Sequence, residues 1–520
     1  MTLPHVKNSE DFVMKNVNNI VHYSEFGAVG DGVTNDFFAI KAAHDKANEM
    51  RLSVMADAGA KYYIGRTNGE SVTVKTDVDF LDAEFIVDDS VIEFDTPDRN
   101  APLFIIAPES ELRIHGEDSE IVKAINKAGG IKWEDKKLAY NFGYDVMLIP
   151  VDETKRVYRR LGATANPGGP QKEVVYVHAD GTIDPDTPVL LNYDNVTSVI
   201  EYRVDDTPIT IKGGVFTTIA NAAPREYTYY HRNIHIARSN TTIDGVKHYV
   251  TDETDTGAPY HGFITIEGAN RILIRNAVLT GHRAYRETSG RSYMGSYDIN
   301  ISIANAVTFD NCTQTNFFVD GVPSANGRIW GIMGSNYSKN LTYKSCMLTR
   351  LDAHAGVYNA SVIDSVITYI RLTGGGTFKL IGSTVYGNEI ISLRADYGCT
   401  WRGDVIIKDT TLVNGKIVNI LSAKWQGWHN FGYQVYHPQN ILIDNLILKT
   451  PADIYVYNDI TPDRQLDPTG SVAVHDGIEV ENVNPVIITK TIKIKPNETN
   501  LNLYGSMGEV LNSKLDITKI

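Results

Sequence analysis

The sequence predicts an all-β fold, a right-handed parallel β-helix with an N-terminal capping helix and a C-terminal β-rich tail. Three observations carry this. First, an apolar residue, a variable one and a small turn-forming one recur together at Ile243-Asp244-Gly245, Ile274-Arg275-Asn276, Phe309-Asp310-Asn311, Tyr343-Lys344-Ser345, Ile363-Asp364-Ser365, Ile381-Gly382-Ser383, Ile407-Lys408-Asp409 and Ile443-Asp444-Asn445. Second, the spacings between them, 31, 35, 34, 20, 18, 26 and 36 residues, are too uneven for a propeller. Third, no helix-period text separates the units, which argues against leucine-rich or helical solenoids, while 42 Gly and 28 Tyr suit a turn-rich β protein. One coil cannot bury its inner face alone, so stacking would place the Ile, Phe and Tyr of the marked column in a continuous inner ladder. The adjoining Asn, Ser, Asp or Gly suits a bend between sheets that needs left-handed backbone or side-chain-to-backbone bonding.

Residues 1–20 are polar with a few spaced apolar positions and read as an arm or attachment segment. Residues 21–128 read as the N-terminal cap and first coils. A Gly-rich turn opens them, Asn35 or Thr34 can cap the helix that follows, and Phe38, Ile40, Ala43 and Ala47 supply its apolar stripe. The stretch FGAVGDGVTND, followed downstream by ADAGAKYYI, resembles the N-terminal signature of pectate-lyase-like β-helix proteins and of many tailed-phage tailspikes. Ala56-Asp57-Ala58-Gly59 departs at one position from that family's Pro-Ala-Gly. The resemblance implies the fold much more than the reaction. In that family the segment caps the end of the β-helix, so Asp31 and Asp36 are expected to hold turns and caps.

Short alternating runs such as VTVKTDVDF and LFIIAP fit the first coils. Residues 129–200 turn charged and Gly/Pro-rich and read as an insertion or small subdomain, residues 201–484 as the main β-helix body, and residues 485–520 as a C-terminal cap or oligomerisation segment. Some cover is expected there, because an unpaired coil end is an exposed sheet edge.

A formal charge of −14 with no Lys/Arg cluster excludes the usual electrostatics of a nucleic-acid partner. Cys312, Cys346 and Cys399 are odd in number and lack CxxC spacing, as expected of reduced, buried thiols. The N-terminus shows no apolar core of a signal peptide, and no stretch approaches the roughly 20 apolar residues of a membrane span. Synthesis in the cytoplasm is expected, with action outside cells after lysis.

Coils stack about 4.8 Å apart, so residues at equal offset from the marked column should line one outer face. At offsets of 8 to 11 stand His282 and Arg283, Asp320, Asp352 and His354, Arg371, and Glu389. Glycoside hydrolysis needs two flanking carboxyl groups, one acid and one nucleophile or base. Asp320 with Asp352 would be roughly 5–6 Å apart and favour retention; Asp352 with Glu389, nearer 9–10 Å, would favour inversion. Alternation points Arg350, Asp352 and His354 to the same side, where Arg could hold a carboxylate or phosphate and His could shuttle a proton.

A second concentration is Arg394, Asp396, Tyr397, Trp401 and Arg402, followed by Lys424, Trp425, Trp428 and His429. Sugars stack on aromatic rings, so this text beside acids suits a glycan groove, with His282, Arg283 and Tyr285 at its opposite end. Polygalacturonase and pectate-lyase residue sets are missing, as are P-loop, HExxH, GxSxG and zinc spacings. No cofactor is required, and a divalent cation has no motif to support it.

The leading expectation is a depolymerase that hydrolyses a cell-surface polysaccharide or wall teichoic acid, with Asp320, Asp352 and Glu389 as its carboxyls and His354 assisting. The resemblance implies the cell-surface substrate, the phage setting, attachment to a virion tail through the N-terminus, and a homotrimer; the residues alone give an acid-lined, aromatic-bordered face on a β-helix. Two readings stand beside it: a polysaccharide lyase with His354 or Lys424 as base, and a non-catalytic receptor-binding spike.

Overall fold

A computed structural model describes residues 19–158, 168–224, 228–254, 256–283, 285–286, 293–319, 321–323, 332–394, 397, 400–422, 435–436, 438–458, 472–475, 478–481 and 486–493. The chain divides into two compact units. The first comprises Met1–Ser110, Asp205–Ile301 and Phe309–Met333; the second comprises Glu111–Val204, Ser302–Thr308 and Gly334–Ile520.

In the first unit, short strands pair in parallel with the coil before and the coil after, which is the pairing of a β-helix. Ile20–His22, Ser53–Met55, Val78–Asp79, Ile209–Lys212, Thr241–Asp244 and Asn270–Arg275 form one such stack. Lys61–Ile64, Glu84–Asp88, Val215–Ile219 and Lys247–Thr251 form the second. Val72–Val74, Phe104–Ile106, Ile234–Ile236 and Ile264–Glu267 form the third. Their inner residues meet in register, Ile211 beside Ile243 and Ile243 beside Ile274. Phe85 stacks on Phe216 at 4.5 Å between ring centroids, with Phe80 and Phe104 edge-on to both. Burying each such ring contributes about 1.5–3 kcal/mol.

The helix Phe37–Met50 packs its buried Phe37, Ile40, Ala43, His44 and Ala47 onto this unit's first strands. Phe37, not Phe38, is the inward ring. Its N-cap is Asp36, one residue later than expected, and the carboxylate there accepts from Val29 N at 2.7 Å and Gly30 N at 3.1 Å. Asp31 likewise accepts from the backbone of Val33 and Thr34. Both acids hold the glycine-rich turn.

The second unit combines two architectures. Arg113–Gly116, Val146–Val157, Gly169–Lys172, Val175–Val177 and Ser198–Arg203 form an antiparallel sheet, covered by the helix Glu120–Lys127. The inserted body therefore starts before residue 129 and ends after residue 200. Both flanking strands alternate just as coil strands do, and alternation cannot say which sheet a strand joins. The rest stacks in parallel coils: Lys339–Lys344, Val357–Ile363, Gly374–Ile381, Trp401–Val413, Asn440–Leu448 and Val486–Lys493 succeed one another. The last of these falls in the segment expected as a C-terminal cap or oligomerisation segment and pairs in parallel with Asn440–Leu448, while residues 494–520 lie outside the described residues.

The bends follow the predicted rule with one refinement. Gly245, Asn276 and Asn311 in the first unit, and Ser345, Asp364, Gly382, Asp409 and Asn445 in the second, all have φ between 48° and 76°. Asn276 Nδ2 donates to Asp244, Asn311 Nδ2 to Asn276 and Asn445 Nδ2 to Asp409, so these side chains also tie coil to coil. In two coils the marked column is one residue late. Tyr343 pairs with Val362, which pairs with Leu380, while Ile363 and Ile381 face outward and only partly buried. There Ser365 and Ser383 turn inward instead, and Ser383 Oγ accepts from Ser365 N at 3.1 Å. Cys312 and Cys346 are buried thiols, as expected, and Cys399 lies outside the described residues.

Candidate functional site

The strand Met347–Ala355 alternates, with Leu351, Ala353 and Ala355 inward and Arg350, Asp352 and His354 on the outer face. The next coil strand, Val366–Leu372, sets Arg371 directly beside Asp352 and Tyr369 beside Arg350. The coil after that, Glu389–Leu393, places Ser392 beside Arg371, and Arg394 follows at its end. From there Arg394 reaches back, its Nη1 donating to Asp352 Oδ1 at 2.7 Å. Arg350 Nη2 donates to the other oxygen, Oδ2. Three guanidiniums thus gather around one carboxylate. Tyr369 lies beneath two of them, 5.4 Å from Arg350 Cζ and 4.9 Å from Arg371 Cζ, and its hydroxyl oxygen accepts from Arg371 Nε at 2.7 Å.

This geometry denies Asp352 the general-acid part of the chemistry expected of it. The residue is 3% exposed, and both its oxygens are taken. Burial would raise its pKa, but the charges of Arg394 and Arg350, with His354 and Arg371 behind them, hold it far below the usual carboxylate range. A carboxyl so held stays ionised and does not donate a proton; it orients Arg350 and Arg394.

His354 beside it is only partly buried. Its Nδ1 lies 3.0 Å from Asn336 Oδ1, an acceptor that suits a proton on Nδ1, and Nε2 lies 3.4 Å from Tyr397 Oη. An imidazole fixed by one partner and linked to a phenol by the other can accept or relay a proton.

The remaining expected residues part company. Ser392, not Glu389, occupies the column of Asp352 and Arg371. Glu389 is three residues from it along its strand and two coils from Asp352, about 14 Å away at standard strand and sheet spacings. The offset rule failed because the number of residues between one sheet and the next differs between coils. His282 is 2% exposed, its Nδ1 lies 2.9 Å from Glu253 Oε1, and its ring stacks 3.7 Å from that of Tyr260. Arg283 N and Tyr285 Oη also donate to Glu253, making a buried knot in the first unit and not the end of an open groove. Trp401, in register beside Gly374, is wholly buried, so it cannot be a sugar platform. Asp320, Asp396, Lys424, Trp425, Trp428 and His429 lie outside the described residues.

The sequence reading missed a concave feature of the second unit, a cavity of about 910 Å³ between the inserted sheet and the coils. Trp133 and Tyr436 line it, with Arg402 held between their rings. Trp133 was the signal available, a lone tryptophan in charged text taken for a plain excursion. Lys339 and Glu173 anchor the inserted sheet here with a buried ion pair at 2.8 Å, and Glu173 also accepts from Leu190 N and Leu191 N.

No family model matches the chain. A capsule-KL64-specific depolymerase of Klebsiella phage P510 is 31% identical over 145 residues, which is 25% of this chain and 13% of that protein. The chain therefore spans about an eighth of the length of the curated relative it matches. Among solved structures, the tailspike gp61 of Pseudomonas phage phi297 is 12% identical, covering 91% of this chain and 84% of its own, with a TM-score of 0.47. The tailspike gp49 of Pseudomonas phage LKA1 is 14% identical over 84% and 79%, with a TM-score of 0.45. A mutant tailspike of E. coli bacteriophage HK620, in complex with a hexasaccharide, is 10% identical over 96% and 71%, with a TM-score of 0.47. The chain resembles phage tailspikes and depolymerases. Among its described residues no helix is long and apolar enough to cross a membrane.

Proposed function

We propose that this chain is a phage-type appendage depolymerase that holds and cuts an acidic cell-surface polysaccharide. One observation carries the reading: Arg350, Arg371 and Arg394 converge on Asp352 beside His354 on an outer coil face. Guanidiniums bind carboxylates in paired hydrogen bonds, and a cluster of three on one outer face suits an anionic ligand. Wall teichoic acid offers the same charge as phosphate and is the other polymer of this chemistry. In line with the resemblance, the working form is a homotrimer on the virion, attached through residues 1–20 and acting outside the cell.

Hydrolysis by a carboxyl pair loses Asp352 as its acid and keeps Glu389 only at a distance. The observed cluster favours a second reading, elimination on a uronate. The guanidiniums would neutralise the sugar carboxylate and acidify the proton beside it. His354 Nε2 would take that proton as the bond to the leaving oxygen breaks and a carbon–carbon double bond forms, with Tyr397 returning a proton to the leaving oxygen. The test is to incubate the protein with capsular polysaccharides rich in uronate and follow the products. New reducing ends with ultraviolet absorption of an unsaturated sugar support elimination, reducing ends without it support hydrolysis, and intact polymer after long incubation contradicts both.

A further inference from the structure

We propose that the cavity beneath the inserted sheet is a second saccharide site, one that takes an acidic sugar residue, with Arg402 as its anion-recognising group. The inference rests on the reading of the chain as a binder of acidic glycans, but not on cleavage.

Arg402 is held in an unusual way. Its Cζ lies 3.3 Å from the centroid of the Trp133 ring and 4.4 Å from that of Tyr436, so the guanidinium is sandwiched between the inserted sheet and a loop strand. Two stacking faces leave only its edge, which carries the N–H donors, to face the cavity it lines. Among the described residues none accepts a hydrogen bond from those donors, and no carboxylate lies within ion-pair distance of them. Other cations of the cavity wall are committed. Lys339 is bound to Glu173 and to Pro188 O, and Lys155 lies 3.1 Å from Asp194.

Ordering a long side chain costs rotamer freedom. The two rings meet that cost before any ligand arrives, which is what a binding residue needs and a solvated surface arginine does not.

The opposite wall suits a sugar ring. Gly374, Gly375 and Gly376 occupy three successive strand positions along the cavity. They are required where they stand, since a Cβ on Gly375 would strike the backbone oxygen of Arg402 and one on Gly376 would strike Tyr358 and Asn359. Gly374 and Gly376 are partly exposed and Gly375 is buried, so backbone without side chains of its own forms this part of the wall. Trp133, 37% exposed, adds apolar surface of the kind sugar faces stack on. A volume of about 910 Å³ is at the upper end of small-molecule sites, room for a short oligosaccharide. The ligand class is a uronic-acid sugar, whose carboxylate would meet the Arg402 edge while its ring lies against the glycine strip.

The test uses the full chain labelled with fluorotryptophan and read by fluorine NMR, with Trp133→Phe identifying the Trp133 signal. D-galacturonate, D-glucuronate and their trisaccharides are titrated in, with D-galactose and D-glucose as neutral controls. The expected result is a saturable shift of the Trp133 signal with uronates only, weakened at least tenfold in Arg402→Gln and less in Arg402→Lys. No shift with any uronate, an equal shift with neutral sugars, or an undiminished shift in Arg402→Gln would each overturn the proposal. Because the readout is binding, a uronate-dependent shift in a protein that cuts no polymer would remove the depolymerase reading and leave this site standing.

Discussion

Asp352 Oδ1 and Arg394 Nη1 lie 2.7 Å apart across 42 residues of chain, and this contact fastens the turn after Glu389–Leu393 to a strand two coils away. A buried ion pair contributes little over an apolar substitute, but removing one partner strands the other. Asp352→Asn is therefore expected to destabilise the second unit by about 3–5 kcal/mol, measured by denaturant unfolding. Its folded pKa is depressed, so its stabilising effect is present above the unfolded value, near 3.9, and is lost as pH falls below it. Activity of Asp352→Asn should accordingly be lowered at every pH from 5 to 9 alike, whereas a carboxyl titrating in catalysis would give an acid limb that the variant loses.

Arg371 is paired beside Asp352 in register, yet its own side-chain bond is to the Tyr369 hydroxyl. It is the guanidinium of the three best placed to meet a ligand. Arg371→Gln should weaken binding of an acidic polymer about 10- to 100-fold at low salt, an effect that shrinks as salt screens the charge. Calorimetric titration at two ionic strengths checks this. Equal affinity for wild type and variant would put the anion elsewhere.

His354 and Tyr397 are linked through Nε2 and Oη while Asn336 fixes the other ring nitrogen. His354→Gln should lower kcat by about 100- to 10,000-fold with little change in polymer affinity. Asn336→Leu, which releases the tautomer without touching a reacting group, should lower kcat less and shift the pH profile.

The first unit buries several histidines with no charge to offset the loss of water. Burial holds His44 at about 3 and His235 and His261 at about 4, and it pushes His248 well below 6.5. The unfolded chain binds protons near 6.5 and the folded chain does not, so stability rises with pH. It is complete above pH 6.5 and is lost as pH falls towards 4. Asp298, raised by burial to about 6, and Asp36 and Asp89, also raised by burial, work in the opposite sense and offset part of this. Thermal unfolding at pH 7.5 and at pH 4.5 should show a large drop in Tm at the lower pH; an unchanged Tm would mean these rings are hydrated.

The stacking of coils was legible in the sequence because a left-handed bend restricts what can stand there, and Gly245, Asn276, Asp409 and Asn445 occupy such bends. The exact register was not. At Val362 and Leu380 the neighbouring Ile363 and Ile381 are equally apolar, so hydrophobicity alone cannot choose the inward residue. Arg350, Asp352, His354 and Arg371 could be gathered by alternation and offset, whereas Arg394 stood in a second concentration of the sequence and joins them only in the fold. Their roles could not, because an ion pair that ties up Asp352 depends on where the Arg394 side chain turns after its strand ends. Trp133 and Arg402 are 269 positions apart in the sequence, and only the fold of the inserted sheet brings their side chains together.

The most direct test of a depolymerase acting through the Arg350, Arg371 and Arg394 cluster is the chain length of an acidic capsular polysaccharide before and after incubation, beside the same polymer with its carboxyls reduced to alcohols. The expected result is progressive shortening of the acidic polymer, none of the reduced one, and none of either with His354→Gln. Binding of the acidic polymer with its length unchanged would contradict this and mark the chain as a receptor-binding spike.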